Sequence, residues 1–329
     1  MRGALQTASA LGEELLQLAQ PEHKPAWLLE AHHALWMTLC QLGKFPRVHQ
    51  HCVQGMALYD PQQHHALTFL SGGHDPGVCT WGYAARTLWV LGYPAQALQR
   101  SQEMLRLARQ LAHPGSMAHA LAWAAWLHQC RREPRLTYEW AEATLTLATE
   151  QGLPYWQAQG TILRGWALTA QGQGAEGMAQ MHHGLTAHRA TGTAEERSYL
   201  LALLADAYRQ GDHADAGLRV LAEALAHVRL TGERFYEAEG YRLEGERRRQ
   251  AVPDEPQAEA CFQQALTVAR RQEARSLELR AAMSLSRLWQ HQGKRTAARE
   301  LLAPIYGWFT EGFDTADLQD AKALLETLA

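Results

Sequence analysis

The stretch that decides the fold is EERSYLLALLADAYRQGDHADAGLRVLAEALAHVRLTG, residues 195–232. Two runs flank a break at residues 210–212, and each run has apolar residues at three- and four-residue steps, the spacing of a buried helix stripe. The stripe residues are Leu201, Leu204, Ala205 and Tyr208 before the break and Gly217, Leu221, Ala224 and Leu225 after it. Small residues at 205, 217 and 224 allow two helices to approach closely. The stretch therefore predicts a helical hairpin that needs neighbours on its other faces.

The same hairpin recurs along the chain. The small residue that opens the second helix is found at Val48, Ala97, Thr137, Gly177, Gly217, Ala258 and Ala298. The steps between these positions are 49, 40, 40, 40, 41 and 40 residues. A near-constant period indicates a solenoid in which each hairpin stacks on the next. Most breaks between the paired helices contain Gly, which ends a helix, and Pro takes over that role at residues 132–135 and 251–256.

The period predicts an all-α fold, a right-handed α-solenoid in one superhelical domain that covers residues 1–329. About seven helical hairpins are expected, at residues 25–60, 76–112, 115–151, 154–191, 194–231, 234–272 and 275–312. Residues 1–20 are expected to form a leftover or capping helix, which hints that the chain is a piece of a longer protein. Residues 314–329 are expected to form a C-terminal capping helix whose leucines cover the last hairpin.

Composition limits the classes of function. The formal net charge of −3 and the alternation of acidic and basic residues argue against a nucleic-acid-binding surface, which needs a basic stripe. Five cysteines lie far apart without a CxxC pair, as in a reduced, cytoplasmic protein. No run approaches the eighteen or so apolar residues of a membrane span. We therefore expect a cytoplasmic protein with no membrane and no nucleic-acid partner.

The hairpin pattern resembles the tetratricopeptide repeat (TPR). Leu204, Ala205 and Tyr208, followed by Gly217 and Leu221, fit the small–large pattern of that repeat, with the period stretched from about 34 residues to about 40. Further segments fit the same frame. They are Trp81, Ala85, Leu88 and Ala97 in an early hairpin, and Ala258, Phe262 and Ala265 in a late one.

Longer runs resemble one bacterial family over nearly the full chain. They include GGHDPGVC (72–79), TGERFYEAEGYRLEGE (231–246) and LLAPIYGWFTEGFDTADL (301–318). In that family a TPR-like array forms the C-terminal part of large signalling ATPases of the STAND type, often with a class III nucleotide cyclase domain. The resemblance implies a sensor or scaffold role and no activity for this chain itself. Residues 246–249, Glu-Arg-Arg-Arg, depart from the mostly aliphatic pattern expected there, which predicts loose packing or a basic spot in the sixth hairpin.

Motifs of enzymes are missing from the sequence. Gly293-Lys294 lacks the first glycine of a Walker A loop, and there is no HExxH, GxSxG or strand-linked GxGxxG. We therefore expect no catalytic residues and no cofactor.

The 49-residue step contains a long connection rich in possible metal ligands. His64, His65, His74, Asp75 and Cys79 lie in it, and all are zinc ligands by type. Their spacing matches neither an HxxxH nor a CxxC pair, and Asp75-Pro76 has the form of a helix start. The spacing favours a structural loop over a metal site. The paired histidines elsewhere, at residues 32–33, 49–51 and 182–183, are expected on solvated helix faces.

Tryptophans are concentrated in the first half of the chain, and some fall on the face of a first helix that lines the concave groove of a solenoid. Trp89 and Trp166 do so, and Trp126 and Arg164 are placed to join them. Exposed aromatic and arginine side chains are common anchors for peptides and proteins. The alternative is that each of these side chains fills a gap between repeats. As a set they are the predicted binding site.

The sequence therefore predicts a non-catalytic interaction or sensor scaffold that binds a protein or peptide in its concave groove and regulates a nucleotide cyclase or STAND ATPase module in the same or a neighbouring chain. A small-ligand receptor that oligomerises on binding is the alternative. A metal-dependent enzyme that uses the loop at residues 64–79 is a third, less favoured hypothesis.

Overall fold

The computed structural model describes residues 4–22, 24–69, 73–193, 195–208, 214–251 and 255–329. Within them the chain forms α-helices and no strand, which confirms the all-α fold class. The helices are α1 (Ala4–Glu22), α2 (Pro25–Gln41), α3 (Phe45–Leu58), α4 (Pro61–His64), α5 (Pro76–Val90), α6 (Pro94–Leu111), α7 (Pro114–Cys130), α8 (Pro134–Glu150), α9 (Pro154–Ala170), α10 (Gly174–Ala190), α11 (Arg197–Ala207), α12 (Ala214–Thr231), α13 (Glu237–Ala251), α14 (Glu255–Arg271), α15 (Arg275–His291), α16 (Arg295–Tyr306) and α17 (Ala316–Thr327), with a 3-10 helix at His65–Phe69.

In the part of the chain that the structure describes, seven successive helix pairs form the body of the molecule. We number these hairpins one to seven, as α2/α3, α5/α6, α7/α8, α9/α10, α11/α12, α13/α14 and α15/α16. The first helices contact one another in chain order and form an inner layer, with the second helices outside. The break predicted at residues 210–212 and part of the one at 251–256 lie outside the described residues.

Proline and glycine divide the helices as their backbone preferences dictate. All helices from α2 to α9 have Pro in the first turn, where its missing N–H needs no partner. Gly92 ends the turn after α5 with a φ of +94°, a conformation that costs glycine little. The predicted cap of α5 is confirmed, since Asp75 Oδ1 accepts hydrogen bonds from the N–H groups of Gly77 and Val78 at 2.8 and 3.1 Å.

Small residues let the two helices of a hairpin meet backbone to backbone. In hairpin four, a Cβ added to Gly165 would lie 2.6 Å from the carbonyl oxygen of Gly177. In hairpin six the small position is Gly245, where a Cβ would lie 2.5 Å from the ring of Phe262. Glu246 therefore follows the small position rather than occupying it, so its charge does not interrupt the close approach of α13 and α14. Arg247 is buried, at 1% exposure, so this turn of α13 is not simply a basic spot on the surface.

The solenoid turns so tightly that its last hairpin packs on hairpins two and three. Ser276 Oγ on α15 donates a hydrogen bond to the Trp89 carbonyl on α5 at 2.6 Å. Arg280 Nη2, one turn later, donates to the Cys130 carbonyl at the end of α7 at 2.5 Å. Glu311, after α16, accepts hydrogen bonds from the first N–H groups of α6. We call these links the closing contacts. They convert the open groove expected of a solenoid into a largely enclosed interior.

Helices at the two ends cover the terminal hairpins. Leu318 of α17 and Leu328, directly after that helix, are buried against α15 and α16, with Leu325 partly buried beside them, as a capping helix requires. At the other end, α1 packs on α2 through Gly12, where an added Cβ would lie 3.0 Å from Leu35. Among the described helices, none is long and apolar enough to cross a membrane.

Candidate functional site

The interior of hairpins two and three is filled by aromatic side chains around a buried arginine. The Arg86 guanidinium, on α5, lies 4.2 Å from the ring centroid of Trp123, 4.5 Å from that of Trp126 and 4.6 Å from that of Phe235. Its charge is matched by Glu196 at 2.5 Å. Burial alone would lower the pKa of Arg86, but the carboxylate of Glu196 raises it, so the guanidinium stays charged. This half of the interior is a packed core.

The interior of the C-terminal half contains a cavity of about 430 Å³. Hairpins three to seven and α17 contribute to its wall, which combines apolar and charged side chains. The wall residues are Gln129, Arg132, Pro134, Trp166, Ala170, Ala202, Leu203, Asp206, Tyr236, Glu239, Arg242, Leu243, Glu246, Arg247, Arg249, Gln250, Arg280, Met283, Ser284, Arg287, Asp317 and Asp320. The volume lies in the range of small-molecule and peptide-side-chain pockets.

One recurring position supplies much of this interior. It follows the small residue in the first helix of hairpins two to seven and is occupied by Arg86, Trp126, Trp166, Asp206, Glu246 and Arg287, at steps of 40 or 41 residues. We call it the inner position. The first two of these side chains are buried in the aromatic core, whereas the last four line the cavity. Comparing this position along the repeats of the sequence would have identified Asp206, Glu246 and Arg287, which the search for aromatic anchors missed.

A buried ion network holds one wall of the cavity in place. Arg242 donates to both carboxylate oxygens of Glu239, at 2.9 and 2.7 Å, and Arg280 donates to Asp317 at 2.8 Å. Burial would raise the pKa of Glu239, but Arg242 and Arg280 lower it to about 2. The carboxylate is therefore ionised at neutral pH and fixes both guanidinium groups.

The cavity lies beside the contact between hairpin three, in the N-terminal half of the chain, and α17, at its C-terminal end. Arg132, after α7, donates to Asp317 at 3.1 Å and to Asp320 at 2.7 Å on α17. All three side chains are part of the cavity wall. A ligand in the cavity would therefore touch both sides of the junction.

Three of the four predicted groove residues, all of them tryptophans, are buried, and Trp166 is 6% exposed. Trp89 and Trp126 are each 3% exposed, and their rings contact each other with centroids 5.8 Å apart. The expectation of exposed anchors is wrong for Trp89 and Trp126 because side chains from α15 and from the segment before α13 cover them. Trp89 lies beneath Arg280, whose guanidinium is 5.1 Å from its ring centroid, and Trp126 packs on Phe235.

The other two predicted groove residues lie on different sides of α9. Trp166 lines the cavity, and its Nε1 donates to Asp206 at 3.4 Å. Arg164 faces the outer layer, since it donates to Gln180 on α10 at 2.9 Å and to Glu142 on α8 at 2.6 Å. The structure thus does not bring the four residues together, and only Trp166 of this set borders the cavity.

The five predicted loop residues divide into two groups. His64 accepts a hydrogen bond from the Asp60 N–H at 2.9 Å, and His65 Nδ1 lies 3.0 Å from Asp75 Oδ2. With the cap formed by Asp75, these three residues hold the connection to the start of α5. His74 and Cys79 instead face His33 of α2.

The paired histidines near the N-terminus are not on a solvated face. His33 is 5% exposed and His32 is 9% exposed, because α2 belongs to the inner layer and its neighbours cover it.

Burial would raise the pKa of the Cys79 thiol, but His33 and His74 lower it to about 6. Burial likewise would lower the pKa of His33, and Cys79 raises it.

Sequence comparison finds one relative of the chain among curated proteins and no family model. No family model matches the chain. An uncharacterized protein of Rhizobium meliloti (strain 1021) is 24% identical over 275 residues, which is 84% of this chain and 27% of that relative. The chain thus spans about a quarter of the length of the curated relative that it matches.

Two solved structures have the same arrangement of helices. A Rap protein complexed with competence and sporulation factor matches with a TM-score of 0.61 at 14% identity, over 91% of this chain and 80% of that chain. A STAND protein with a tetratricopeptide repeat sensor from Pyrococcus horikoshii matches with a TM-score of 0.50 at 12% identity, over 98% of this chain and 49% of that chain. These likenesses establish a TPR-like helical solenoid.

Proposed function

We propose that the chain is a non-catalytic interaction and sensor module that takes a short segment of a protein or peptide in its central cavity. The observation that carries this proposal is the position of the cavity at the junction of the two halves, with Arg132 and Asp317 in its wall. A segment bound there gains contacts from both halves at once. Binding would therefore favour the closed form over any form in which the closing contacts are broken.

The wall of the cavity suits a peptide that carries a carboxylate next to an apolar side chain. Arg249 and Arg287 have side chains 43% and 44% exposed, and their nearest acidic partners are 3.6 and 3.9 Å away. Such arginines can take a carboxylate through two hydrogen bonds. Trp166, Leu203 and Met283 offer apolar surface in the same cavity.

The finer part of the proposal is that binding regulates a nucleotide cyclase or STAND ATPase module, in the same chain or a neighbouring one. Three facts support it. The sequence resembles the C-terminal arrays of such proteins, the chain spans only about a quarter of its curated relative, and the fold is like that of a STAND protein with a TPR sensor. The volume of about 430 Å³ also suits a small effector, which is the alternative occupant.

The test blocks the cavity without changing the outer surface. Ala170 is exposed at the C-terminal end of α9 and lines the cavity, so Ala170→Trp fills part of it. Ala190 is exposed at the equivalent end of α10, outside the cavity wall, and Ala190→Trp is the matched control. Both variants and the wild type would be panned against a random peptide library, and the selected peptides titrated by isothermal titration calorimetry.

We expect selected peptides to bind at least about tenfold more weakly to Ala170→Trp and unchanged to Ala190→Trp, a loss of about 1.4 kcal/mol. Equal binding by both variants would show that the cavity is not the peptide site. Mass measurement with and without a bound compound separates the alternative, because a small-ligand receptor that oligomerises on binding would show a larger assembly.

A further inference from the structure

Three side chains with zinc-binding atoms converge at the N-terminal end of α5, outside the central cavity. They are His33 of α2, His74 of the segment that precedes α5, and Cys79 in the first turn of α5. One ligand atom of each lies within 4.8 Å of the others. The three come from separate parts of the chain, so the fold itself brings them together.

The best-defined distance in this group fits a tetrahedral metal centre. Cys79 Sγ and His33 Nε2 are 3.5 Å apart. With a Zn–S bond of about 2.3 Å and a Zn–N bond of about 2.0–2.1 Å, tetrahedral angles place a sulfur and a nitrogen ligand about 3.6 Å apart. We propose that His33, His74 and Cys79 bind a zinc ion. Thiolate and imidazole ligands favour zinc over magnesium or calcium, which prefer oxygen.

The second nitrogen of His33 faces a carboxylate, as is usual for a zinc-bound histidine. His33 Nδ1 lies 3.5 Å from Glu30 Oε2, one turn earlier on α2. Such a carboxylate fixes the tautomer and the orientation of the ring, so that the other nitrogen points at the metal. Glu30 is therefore a positioning residue for the proposed site.

His74 provides an independent sign that the group lacks a ligand. Its Nε2 is buried and has no hydrogen-bond partner within the described part of the chain. A buried polar nitrogen without a partner is costly, and a metal ion would satisfy it. Cys79 is fully buried, whereas His74 and the adjacent Gly73 retain some exposure, which gives an ion a path to the site.

The other three loop residues that are zinc ligands by type have separate partners. His64 bonds to the Asp60 N–H, and His65 is paired with Asp75, which also caps α5. The loop residues alone therefore do not form a metal site, as their spacing in the sequence indicates. The proposed site differs because its third ligand is His33, 41 residues before His74. Three protein ligands leave the fourth position of the zinc to water.

The proposed ion would fasten the long connection between hairpins one and two to the inner layer. It joins α2, the segment before α5, and α5 itself. Helix α5 also carries Arg86, the centre of the aromatic core. Because zinc would bind the folded chain and not an equivalent site in the unfolded chain, its removal should lower the melting temperature.

The test measures metal content and cobalt spectra of the full chain purified under reducing conditions. Zinc would be quantified by mass spectrometry, and the metal-free protein titrated with cobalt chloride to detect thiolate-to-cobalt charge-transfer absorption. The variants are Cys79→Ser, His74→Ala and Glu30→Gln. Cys130→Ser is the control, since Cys130 is also buried but lies outside the His33–His74–Cys79 group.

We expect about one zinc per chain in the wild type and in Cys130→Ser, and the charge-transfer absorption in both. Cys79→Ser should lose the absorption, His74→Ala should lose stoichiometric zinc, and Glu30→Gln should bind zinc about 10–100-fold more weakly. His74→Ala keeps the test decisive if Cys79→Ser does not fold, because His74 lies in a loop. A folded wild type that binds neither zinc nor cobalt, or a His74→Ala variant that binds zinc like the wild type, would overturn the proposal.

Discussion

Two regions of the interior share the same backbone repeat but are filled differently. The first is formed by hairpins two and three, and the second by hairpins five to seven. At the inner position the first region has Arg86 and Trp126, both buried among aromatic rings. The second region has Asp206, Glu246 and Arg287 at that position, all bordering a cavity. Repeat geometry therefore sets where an inward side chain lies, and its identity decides whether that place becomes core or ligand site.

The largest effect is expected from the arginine at the inner position of the aromatic core. Arg86→Ala leaves the buried carboxylate of Glu196 without its cation, which should lower the free energy of unfolding by about 3–5 kcal/mol. Arg287→Ala removes the arginine at the equivalent position in hairpin seven. Because Arg287 is 44% exposed and 3.9 Å from Asp320, this loss should be within about 1 kcal/mol.

Urea unfolding followed by circular dichroism measures both variants. If Arg86→Ala and Arg287→Ala lowered the free energy of unfolding by similar amounts, then burial at the inner position would not decide how much its arginine stabilises the fold.

A pH dependence is expected from the cavity wall. The pKa of Glu239 is about 2 in the folded chain, below its ordinary value of 4.5. A lowered folded pKa gives stability that is complete above the ordinary value and is lost as the pH falls from there towards 2. The contribution is on the order of 3 kcal/mol.

The stability advantage of the wild type over Glu239→Gln should therefore shrink as the pH falls from about 5 to 2, whereas Glu139→Gln, on an exposed side chain, should follow the wild type throughout. Urea titrations at a series of pH values measure this. A constant difference between wild type and Glu239→Gln would show that Glu239 is not held ionised by Arg242 and Arg280.

The smallest effect on stability is expected where Arg132 contacts α17, and there the shape of the molecule should change as well. Arg132→Glu places a third carboxylate against Asp317 and Asp320. Because Arg132 is 45% exposed, the free energy of unfolding should fall by only about 1 kcal/mol. The repulsion should nevertheless favour open forms, which small-angle X-ray scattering would detect as a larger radius of gyration.

The reverse exchange, Arg132→Glu combined with Asp320→Arg, should restore the compact radius. If the single variant stays as compact as the wild type, then Ser276, Arg280 and Glu311 hold the junction without the help of Arg132.

The helices were predictable because their signals are local. Proline in the first turn, glycine in the turn, and a small residue every 40 or so positions define the hairpins without any distant contact. The closing contacts were not predictable in this way. Nothing around Trp89 indicates that its carbonyl accepts a hydrogen bond from Ser276, so the sequence placed Trp89 and Trp126 on an open groove.

The candidate sites show the same limit. Trp166 was identified because tryptophan on an inner face is conspicuous, whereas Asp206 and Glu246 resemble ordinary charged helix residues until the repeats are aligned. His33 was not predictable as a zinc ligand because it lies in a helix of the preceding hairpin, far in sequence from the loop that the fold brings to it.

The contact between Arg280 and the Cys130 carbonyl also has an evolutionary consequence. Open repeat arrays gain or lose units easily, since a duplicated hairpin only lengthens the stack. Here an added or deleted unit between α7 and α15 would rotate one partner away from the other and remove the enclosed cavity. The gene should therefore tolerate substitutions within repeats far better than duplications of a whole repeat, as in a barrel whose strand number is fixed by closure.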